Sequence, residues 1–222
     1  MIIKTIIFDL DGTLYPRTSS LYQSMSASIR RWFQNQLRMN DSDFGNYFEQ
    51  MKLAYPSPLE AIQVLGFSVD SFHSEVFGGL HPKQHLAPDQ KLRLMLNSLP
   101  VEKFIVTLAS HEHVVNVLKA LDVESCFSDI IVPGSGWDTT SKFGAYEVVR
   151  KQGGWKTEDV YIVGDDIRID LMEACAAGYR CISVFGGAQW PDVERIESIY
   201  ELETIIRKSL GTKKQKGVQA HE

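Results

Sequence analysis

Two pairs of aspartates follow apolar stretches of the sequence, and they are the residues best suited to chemistry. Asp9 and Asp11 end the run IIKTIIF, Asp165 and Asp166 end the run VYIVG, and Asp170 follows four residues later. Clustered carboxylates repel one another unless they are protonated or neutralised by a cation. Mg²⁺ is held by a few carboxylates, by waters and by the oxygens of a bound phosphate. These residues therefore predict a magnesium site that accepts a small phosphorylated metabolite.

The spacing of Asp9 and Asp11 allows their carboxylates to act together. Side chains at positions i and i+2 of an extended chain point to the same face. One carboxylate could attack a phosphorus atom while the other protonates the leaving oxygen. Gly12 suits a tight loop whose N–H groups face an anion, and Thr13 adds a hydroxyl donor. The alternative is a turn or a helix cap with no chemical role, since Asp-Gly is a common turn sequence.

The composition is that of an ordinary globular chain. Its 222 residues are 44% apolar and 23% charged, which suits one α/β domain or a core domain with a smaller insertion. The net charge of −5 argues against binding of a nucleic acid polymer, which needs a basic surface. Three cysteines without metal-like spacing indicate a reduced intracellular protein, and no apolar run reaches the length of a membrane-spanning helix. We therefore expect a cytoplasmic protein with no membrane partner.

Strands and helices alternate in most of the sequence. The predicted strands are IIKTIIF, KFIVTLAS, DIIVPG, DVYIVGDD and RCISVFGG, and the predicted helices between them are DQKLRLMLNSL, EHVVNVLKALDV, EVVRKQGG and DLMEACAAG. This order predicts an α/β fold with a doubly wound, Rossmann-like parallel sheet. Ligands of such sheets collect at the carboxyl ends of the strands, where the aspartate pairs lie.

The segment between the first two predicted strands has a helical pattern instead. Its apolar residues recur at intervals of three and four, as in Leu21, Met25, Ile29, Trp32, Phe33 and Leu37. The stretch PSPLEAIQVLG predicts a further helix that ends at Gly66. We therefore predict a core domain of residues 1–15 and 87–210, an all-helical cap domain of residues 16–86, and a disordered tail of residues 211–222.

Four features of the sequence together resemble the haloacid dehalogenase superfamily. They are FDLDGT after the first predicted strand, a hydroxyl residue at the end of KFIVT, a lysine in SKFGAYEVV, and GDDxxxD after VYIVG. The resemblance covers about residues 1–187. It implies an α/β core with a helical cap that covers the site and selects the leaving group, and its members are mostly magnesium-dependent phosphatases.

The resemblance also implies a role for individual residues. Asp9 resembles the nucleophile that forms an aspartyl-phosphate, and Asp11 resembles the acid/base. The other implied roles are catalysis and phosphate binding for Thr107 and Lys142, phosphate binding for Gly12 and Leu108, Mg²⁺ binding for Asp9, Asp11 and Asp165, and support for Asp166 and Asp170.

Asp11 separates two reactions within the superfamily. The dehalogenases lack this second aspartate because a halide leaves without a proton, whereas the alcohol that leaves a phosphate ester needs an acid. We therefore expect a magnesium-dependent phosphatase that hydrolyses a small phosphomonoester. Tyr15-Pro16 after DGTL resembles the pyrimidine 5′-nucleotidase branch, which makes a nucleoside 5′-monophosphate one candidate substrate.

Two motifs depart from the family pattern. Thr107 is followed by Leu108 rather than asparagine, so Ser110 is an alternative hydroxyl, although a helix cap suits Ser110 better. Lys142 is not followed by proline, and Lys151 is the alternative lysine.

Other polar residues leave two interpretations open. Asp166 either shares the cation or points outward beside Arg168. We interpret His111 and His113 as exposed loop residues, although they could reach a substrate.

Three other functions remain open. A phosphomutase would use the same residues to transfer the phosphoryl group to a sugar hydroxyl. A non-catalytic descendant would bind a phosphorylated ligand or a protein partner, which the two motif departures would suit. A phosphonate-cleaving enzyme would need a cap lysine such as Lys52, but a solvated helix lysine explains that residue.

Overall fold

A parallel sheet is the framework of the structure. The structure is a computed structural model that describes residues 3–55, 57–133, 141–185 and 190–211. Its strands are β1 (Thr5–Phe8), β2 (Glu102–Val106), β3 (Asp129–Ile131), β4 (Val160–Gly164), β5 (Arg180–Val184) and β6 (Val193–Ile196). They form one six-stranded sheet in the order β3-β2-β1-β4-β5-β6, and every neighbouring pair is parallel. This confirms the predicted Rossmann-like α/β fold.

Helices cover both faces of the sheet and form a separate group after β1. The helices are α1 (Ser20–Leu37), α2 (Asp41–Ala54), α3 (Pro58–Val64), α4 (Val69–Phe77), α5 (Gln90–Ser98), α6 (His111–Leu121), α7 (Lys142–Gln152), α8 (Met172–Ala176) and α9 (Leu202–Gly211). A π-helical turn, Ile167–Leu171, precedes α8. None of the described helices combines the length and apolar character that crossing a membrane requires.

Strand β1 lies at the centre of the sheet and is buried along its whole length. Its last residue, Phe8, is in register with Ile105 of β2 and Val163 of β4. The backbone continues extended for one more residue, because the N–H of Asp9 donates to the carbonyl of Val163 at 2.9 Å. A strand covered on both faces favours apolar side chains, which explains the nearly continuous apolar run in the sequence. The carboxyl ends of β1, β2 and β4 therefore meet at one edge.

The helices α1–α4 lie between β1 and β2 in the chain, where the cap was predicted. The side chains of Leu21, Met25, Trp32 and Phe33 on α1 are buried, and the ring of Trp32 packs edge-on against that of Phe72 on α4 with centroids 5.1 Å apart. Helix α3 occupies the predicted PSPLEAIQVLG stretch and is followed by Gly66 in the left-handed region at φ +76°. The division into core and cap domains stays a prediction, and residues 212–222 of the predicted tail lie outside the described residues.

Two regions differ from the sequence analysis. The predicted helix DLMEACAAG is split into the π-helical turn and α8, because the carboxylate of Asp166 accepts bonds from the N–H groups of Arg168 and Ile169 and starts the turn earlier. The other difference is at the C-terminal side, where β6 and α9 form without having been predicted. Strand β6 is an edge strand whose sequence, VERI, carries two charged residues and lacks the apolar run of a buried strand.

Candidate active site

A buried cluster of three charged side chains, Asp9, Lys142 and Asp170, lies at the carboxyl edge of the sheet. Lys142 is the first residue of α7, and its Nζ donates to Asp9 Oδ1 at 2.5 Å and to Asp170 Oδ1 at 2.7 Å. Lys142 is only 4% exposed. Burial would lower the pKa of Lys142, but the charges of Asp170 and Asp9 raise it well above its usual value. The ammonium group therefore stays charged between the two carboxylates.

A second, outer group consists of Arg17, Asp165 and Asp166. The Nε of Arg17 contacts Asp165 Oδ2, and its Nη2 lies 3.3 Å from Asp166 Oδ2. The side chain of Arg17 is 46% exposed, whereas that of Asp165 is 5% exposed. Burial and the charge of Asp9 raise the pKa of Asp165 to about 6, although Arg17 opposes this shift. The carboxylate of Asp165 is thus poorly compensated and favours a further cation.

Thr13 and Gly12 join the two groups. The hydroxyl of Thr13 donates to Asp9 Oδ2 at 2.9 Å and lies 3.4 Å from Asp165 Oδ1. Gly12 has φ +98°, and a Cβ atom there would lie 2.3 Å from Asp165 Oδ2. Only glycine therefore allows the loop to approach this carboxylate. Both residues lie beside the aspartates, and the Thr13 hydroxyl is already used to orient Asp9.

Asp11, two residues after Asp9, is held by two side chains. Its Oδ1 contacts the hydroxyl of Tyr15 and lies 2.8 Å from Nε2 of His113. His113 is on the first turn of α6 and is 3% exposed, so the interpretation of His113 as an exposed loop residue is wrong. His111, which lies two residues earlier and is the first residue of α6, is exposed.

The segment after β2 brings Thr107 and Leu108 to the same edge. Thr107 is buried and its hydroxyl accepts from the N–H of Ala109 at 3.3 Å, while the carbonyl of Leu108 lies 3.0 Å from His73 Nε2 of α4. Ser110 instead caps α6 by accepting from the N–H of His113, as its sequence context indicated. Of the two hydroxyls, only Thr107 lines the cavity that contains Asp9.

Of the remaining candidate residues, Asp170 lies in the site and Lys151 does not. Asp170 accepts hydrogen bonds from two groups: its Oδ1 accepts from Lys142 Nζ, and its Oδ2 accepts from the backbone N–H of Asp166 at 3.0 Å. Burial raises the pKa of Asp170 to about 7, against the opposing effect of Lys142. Lys151 is 70% exposed and pairs with Glu147, so it is not part of this site.

Three carboxylates are placed to hold a metal ion. Asp9, Asp165 and Asp170 each offer one oxygen atom, and these atoms lie within 4.8 Å of one another. Three carboxylates of a partly buried cluster are hard donors that fit Mg²⁺. The predicted set was Asp9, Asp11 and Asp165, and the metal role of Asp11 stays a prediction because its side chain lies outside this group.

The site opens into a cavity of about 150 Å³ between the sheet edge and the helices α1, α3 and α4. Its polar wall includes Asp9, Asp11, Thr107 and Lys142, and the opposite wall is apolar. The apolar wall is formed by Met25, Ile29, Leu59, Phe72 and Phe77. A second cavity of about 610 Å³ shares Arg17, Tyr22, Ile29, Pro58, Asp166 and Ile169 with the first and extends along α2. The site thus consists of a small cavity that contains the carboxylates and a larger adjoining chamber, which is the second cavity.

Sequence reasoning missed the roles of Tyr15, Arg17 and His113. Tyr15 and Arg17 follow the DGT loop directly, so their proximity to the aspartates was a usable signal. Lys52 was correctly interpreted as an exposed helix lysine, since it is 53% exposed and pairs with Glu49.

Comparisons with known proteins agree with this architecture. The chain is 23% identical over 138 residues to phosphate metabolism protein 8 of Saccharomyces cerevisiae, and the match covers 57% of this chain and 42% of the yeast protein. The structure of this chain is similar to that of a predicted phosphatase from Clostridium acetobutylicum, with a TM-score of 0.66 and 15% identity. The match covers 94% of this chain and 100% of that one. The structure is also similar to L-2-haloacid dehalogenase from Xanthobacter autotrophicus, with a TM-score of 0.58, 14% identity and coverage of 93% and 99%.

The structural likenesses show the fold alone, since a phosphatase and a dehalogenase share it. The family model of haloacid dehalogenase-like hydrolases matches residues 6–184, most of the chain. That range includes both aspartate pairs and the lysine of the buried cluster. The chain therefore belongs to the haloacid dehalogenase-like hydrolase family.

Proposed function

We propose that the protein is a magnesium-dependent phosphatase that hydrolyses a small phosphomonoester through an aspartyl-phosphate. The observation that carries this proposal is the state of Asp9. Its carboxylate lines the cavity, Lys142 holds one oxygen and Thr13 holds the other. A carboxylate oriented by two donors and open to a cavity suits nucleophilic attack.

The neighbouring residues supply the rest of the reaction. Asp9 attacks the phosphorus atom, and Asp11 protonates the leaving oxygen as the ester bond breaks. Asp11 then takes a proton from the water that hydrolyses the aspartyl-phosphate. Lys142 and Thr107 line the cavity where the phosphoryl oxygens would lie and stabilise their charge.

Asp9, Asp165 and Asp170 would hold Mg²⁺, with Asp11 as a further candidate. The bound ion supplies positive charge that neutralises the phosphate and the clustered carboxylates. The raised pKa of Asp165 supports this placement, because its ionised form is unfavourable without a cation beside it.

The adjoining chamber supports a leaving group larger than a simple alcohol. Its volume of about 610 Å³ falls within the range of small-molecule pockets, roughly 300–1,000 Å³. A nucleoside 5′-monophosphate is the candidate that the Tyr15-Pro16 resemblance favours. The cytoplasmic location stays a prediction.

The test is phosphate release from a panel of nucleoside 5′-monophosphates and sugar phosphates, with Mg²⁺ and with EDTA. We expect magnesium-dependent release by the wild type and none by Asp9→Asn. Asp129→Asn is the control, because Asp129 is an exposed carboxylate on β3 whose Oδ1 accepts a hydrogen bond from the following N–H at 2.8 Å. Phosphoryl transfer to a sugar hydroxyl without release would identify a mutase. Failure of a folded, Mg²⁺-binding protein to turn over any ester would favour a non-catalytic binder.

A further inference from the structure

Asp11 Oδ1 receives two hydrogen bonds from buried side chains that the proposed function does not use. One partner is the hydroxyl of Tyr15 and the other is Nε2 of His113, 2.8 Å away. Both partners are 3% exposed, and Asp11 itself lines the reaction cavity. Among the residues that the structure describes, none donates a hydrogen bond to the other oxygen, Oδ2.

The protonation states of the two partners follow from their surroundings. Burial and the charge of Asp11 raise the pKa of Tyr15, so its hydroxyl keeps its proton and donates it. His113 Nδ1 is buried and has no hydrogen-bond partner within the described part of the chain. A proton on Nε2 lets the ring donate a hydrogen bond to Asp11 Oδ1 across the 2.8 Å between them. A proton on Nδ1 alone would instead place a bare Nε2 against this carboxylate oxygen and would bury an N–H without an acceptor.

We propose that Tyr15 and His113 are positioning residues for Asp11, which saturate its Oδ1 and leave Oδ2 as the oxygen that exchanges the proton with the leaving group. This inference rests on the proposed function. In the first step, the proton moves from Asp11 Oδ2 to the leaving oxygen as the P–O bond breaks and the bond from Asp9 to phosphorus forms. The two donors on Oδ1 stabilise the resulting carboxylate. In the second step, Oδ2 takes a proton from the attacking water and is restored.

Helix α4 supports this arrangement from the cap side. The ring of Phe77 packs on that of His113 with centroids 4.8 Å apart, and His73 Nε2 lies 3.0 Å from the carbonyl of Leu108. Both contacts come from one helix and act on the segment that carries His113. The position of α4 therefore fixes the ring of His113, which orients Asp11. The helix that covers the site thus also holds the side chain that positions the proposed acid.

The experiment compares two substrates that differ in their need for an acid. A simple alkyl phosphate needs a proton on its leaving oxygen, whereas p-nitrophenyl phosphate releases a stable anion and needs little help. The ratio of kcat/KM for the two esters reports proton donation during formation of the aspartyl-phosphate. We compare the wild type with Tyr15→Phe, His113→Leu, the double variant and His113→Gln, whose amide N–H can replace Nε2–H.

We expect each single variant to lower kcat/KM for the alkyl ester about three- to tenfold more than for p-nitrophenyl phosphate, and the double variant about ten- to a hundredfold more. His113→Gln is expected to restore most of the ratio. Tyr161→Phe is the matched control, because Tyr161 is a buried tyrosine whose hydroxyl bonds to Ser209 at 2.9 Å, away from the site. An equal loss on both esters, or no loss on either, would overturn the inference.

A measurement without turnover separates this inference from the proposed function. If the wild type hydrolyses neither ester, the phosphatase proposal fails, and ¹⁵N NMR of the His113 ring in the folded protein still decides the donor arrangement. We expect a proton on Nε2, with a resonance that shifts in Tyr15→Phe because the two donors share one oxygen. A proton on Nδ1 would overturn the inference.

Discussion

Two cationic side chains contact the carboxylates of this site, and they differ in their exposure to solvent. Lys142 is enclosed between Asp9 and Asp170 and is 4% exposed. Arg17 contacts Asp165 and Asp166 from the outside, and its side chain is 46% exposed. Both pairings neutralise carboxylates, but only the first replaces the solvation of a fully buried charge.

The difference indicates which cation is permanent and which can be exchanged. Removing one partner of a buried ion pair leaves an uncompensated charge, which is far more costly than the loss of an exposed pair. Lys142 is therefore a fixed component of the site. The guanidinium of Arg17 is already half exposed and can move into water, so another cation can take its place beside the buried carboxylate of Asp165.

The largest effect is expected when Lys142 is replaced. Lys142→Met leaves Asp9 and Asp170 buried without a counterion, so the free energy of unfolding should fall by about 3–5 kcal/mol and phosphatase activity should be lost. Urea denaturation at pH 7.5 and ester hydrolysis measure the two effects. Lys151→Met is the control, because its exposed ammonium group should contribute almost nothing. Equal stabilities for the two variants would show that the buried position of Lys142 does not make it a fixed component of the site.

The next effect concerns the pH dependence of the buried cluster. The pKa of Asp170 is about 7 in the folded protein, above its ordinary value of 3.8. Between these values the folded protein binds more protons than the unfolded chain, so Asp170 makes folding less favourable as the pH rises. Asp170→Asn removes this contribution. The difference in unfolding free energy, variant minus wild type, should therefore increase from pH 4 to pH 7 in EDTA. A difference that stays constant or decreases with pH would refute this.

A smaller effect is expected at Thr13, which contacts both groups. Thr13→Val keeps the shape of the side chain but removes the donor to Asp9 Oδ2, which should lower the free energy of unfolding by about 1–3 kcal/mol and reduce kcat. Thr13→Ser retains the hydroxyl and is the control. If valine and serine gave the same kcat, the hydroxyl would have no part in orienting Asp9.

The smallest effect is expected at Arg17. Arg17→Met removes a cation that competes for Asp165, so the affinity for Mg²⁺ should rise about two- to fivefold. Isothermal titration calorimetry without substrate measures this. Arg207→Met is the control, because Arg207 forms an exposed pair with Glu203 far from the sheet edge. An unchanged or weaker affinity would show that Arg17 does not compete with the metal.

The parts of the fold that the sequence predicted are those whose burial leaves a periodic pattern. Strand β1 is covered on both faces and appears as a continuous apolar run, and α1 is covered on one face and appears as a stripe. Strand β6 lies at the sheet edge, where half of its residues meet solvent and the pattern disappears. The π-helical turn depends on a side-chain cap, which periodicity does not report.

The sequence predicted those residues of the site that lie close to one another in the chain. The spacing of Asp9 and Asp11 after a strand indicates a site, but no sequence pattern indicates the residues that contact Asp11. His113 is 102 positions away from Asp11, and the two meet only because β1 and β2 pair in parallel. Lys142 was identified through the family resemblance, whereas its complete burial follows from contacts with two distant carboxylates. A lysine at a helix start gives no such signal on its own.

The central place of β1 has a consequence for how the chain is made. Its two partners come late, since β2 begins at Glu102 and β4 ends at Gly164. At about 5–20 residues per second, the ribosome needs roughly 8–30 s to pass from Phe8 to Gly164. During that time a largely apolar, buried strand has no partner on its β4 side. Protecting this strand from aggregation is thus a task for the nascent chain and its chaperones before any catalytic residue can take its place.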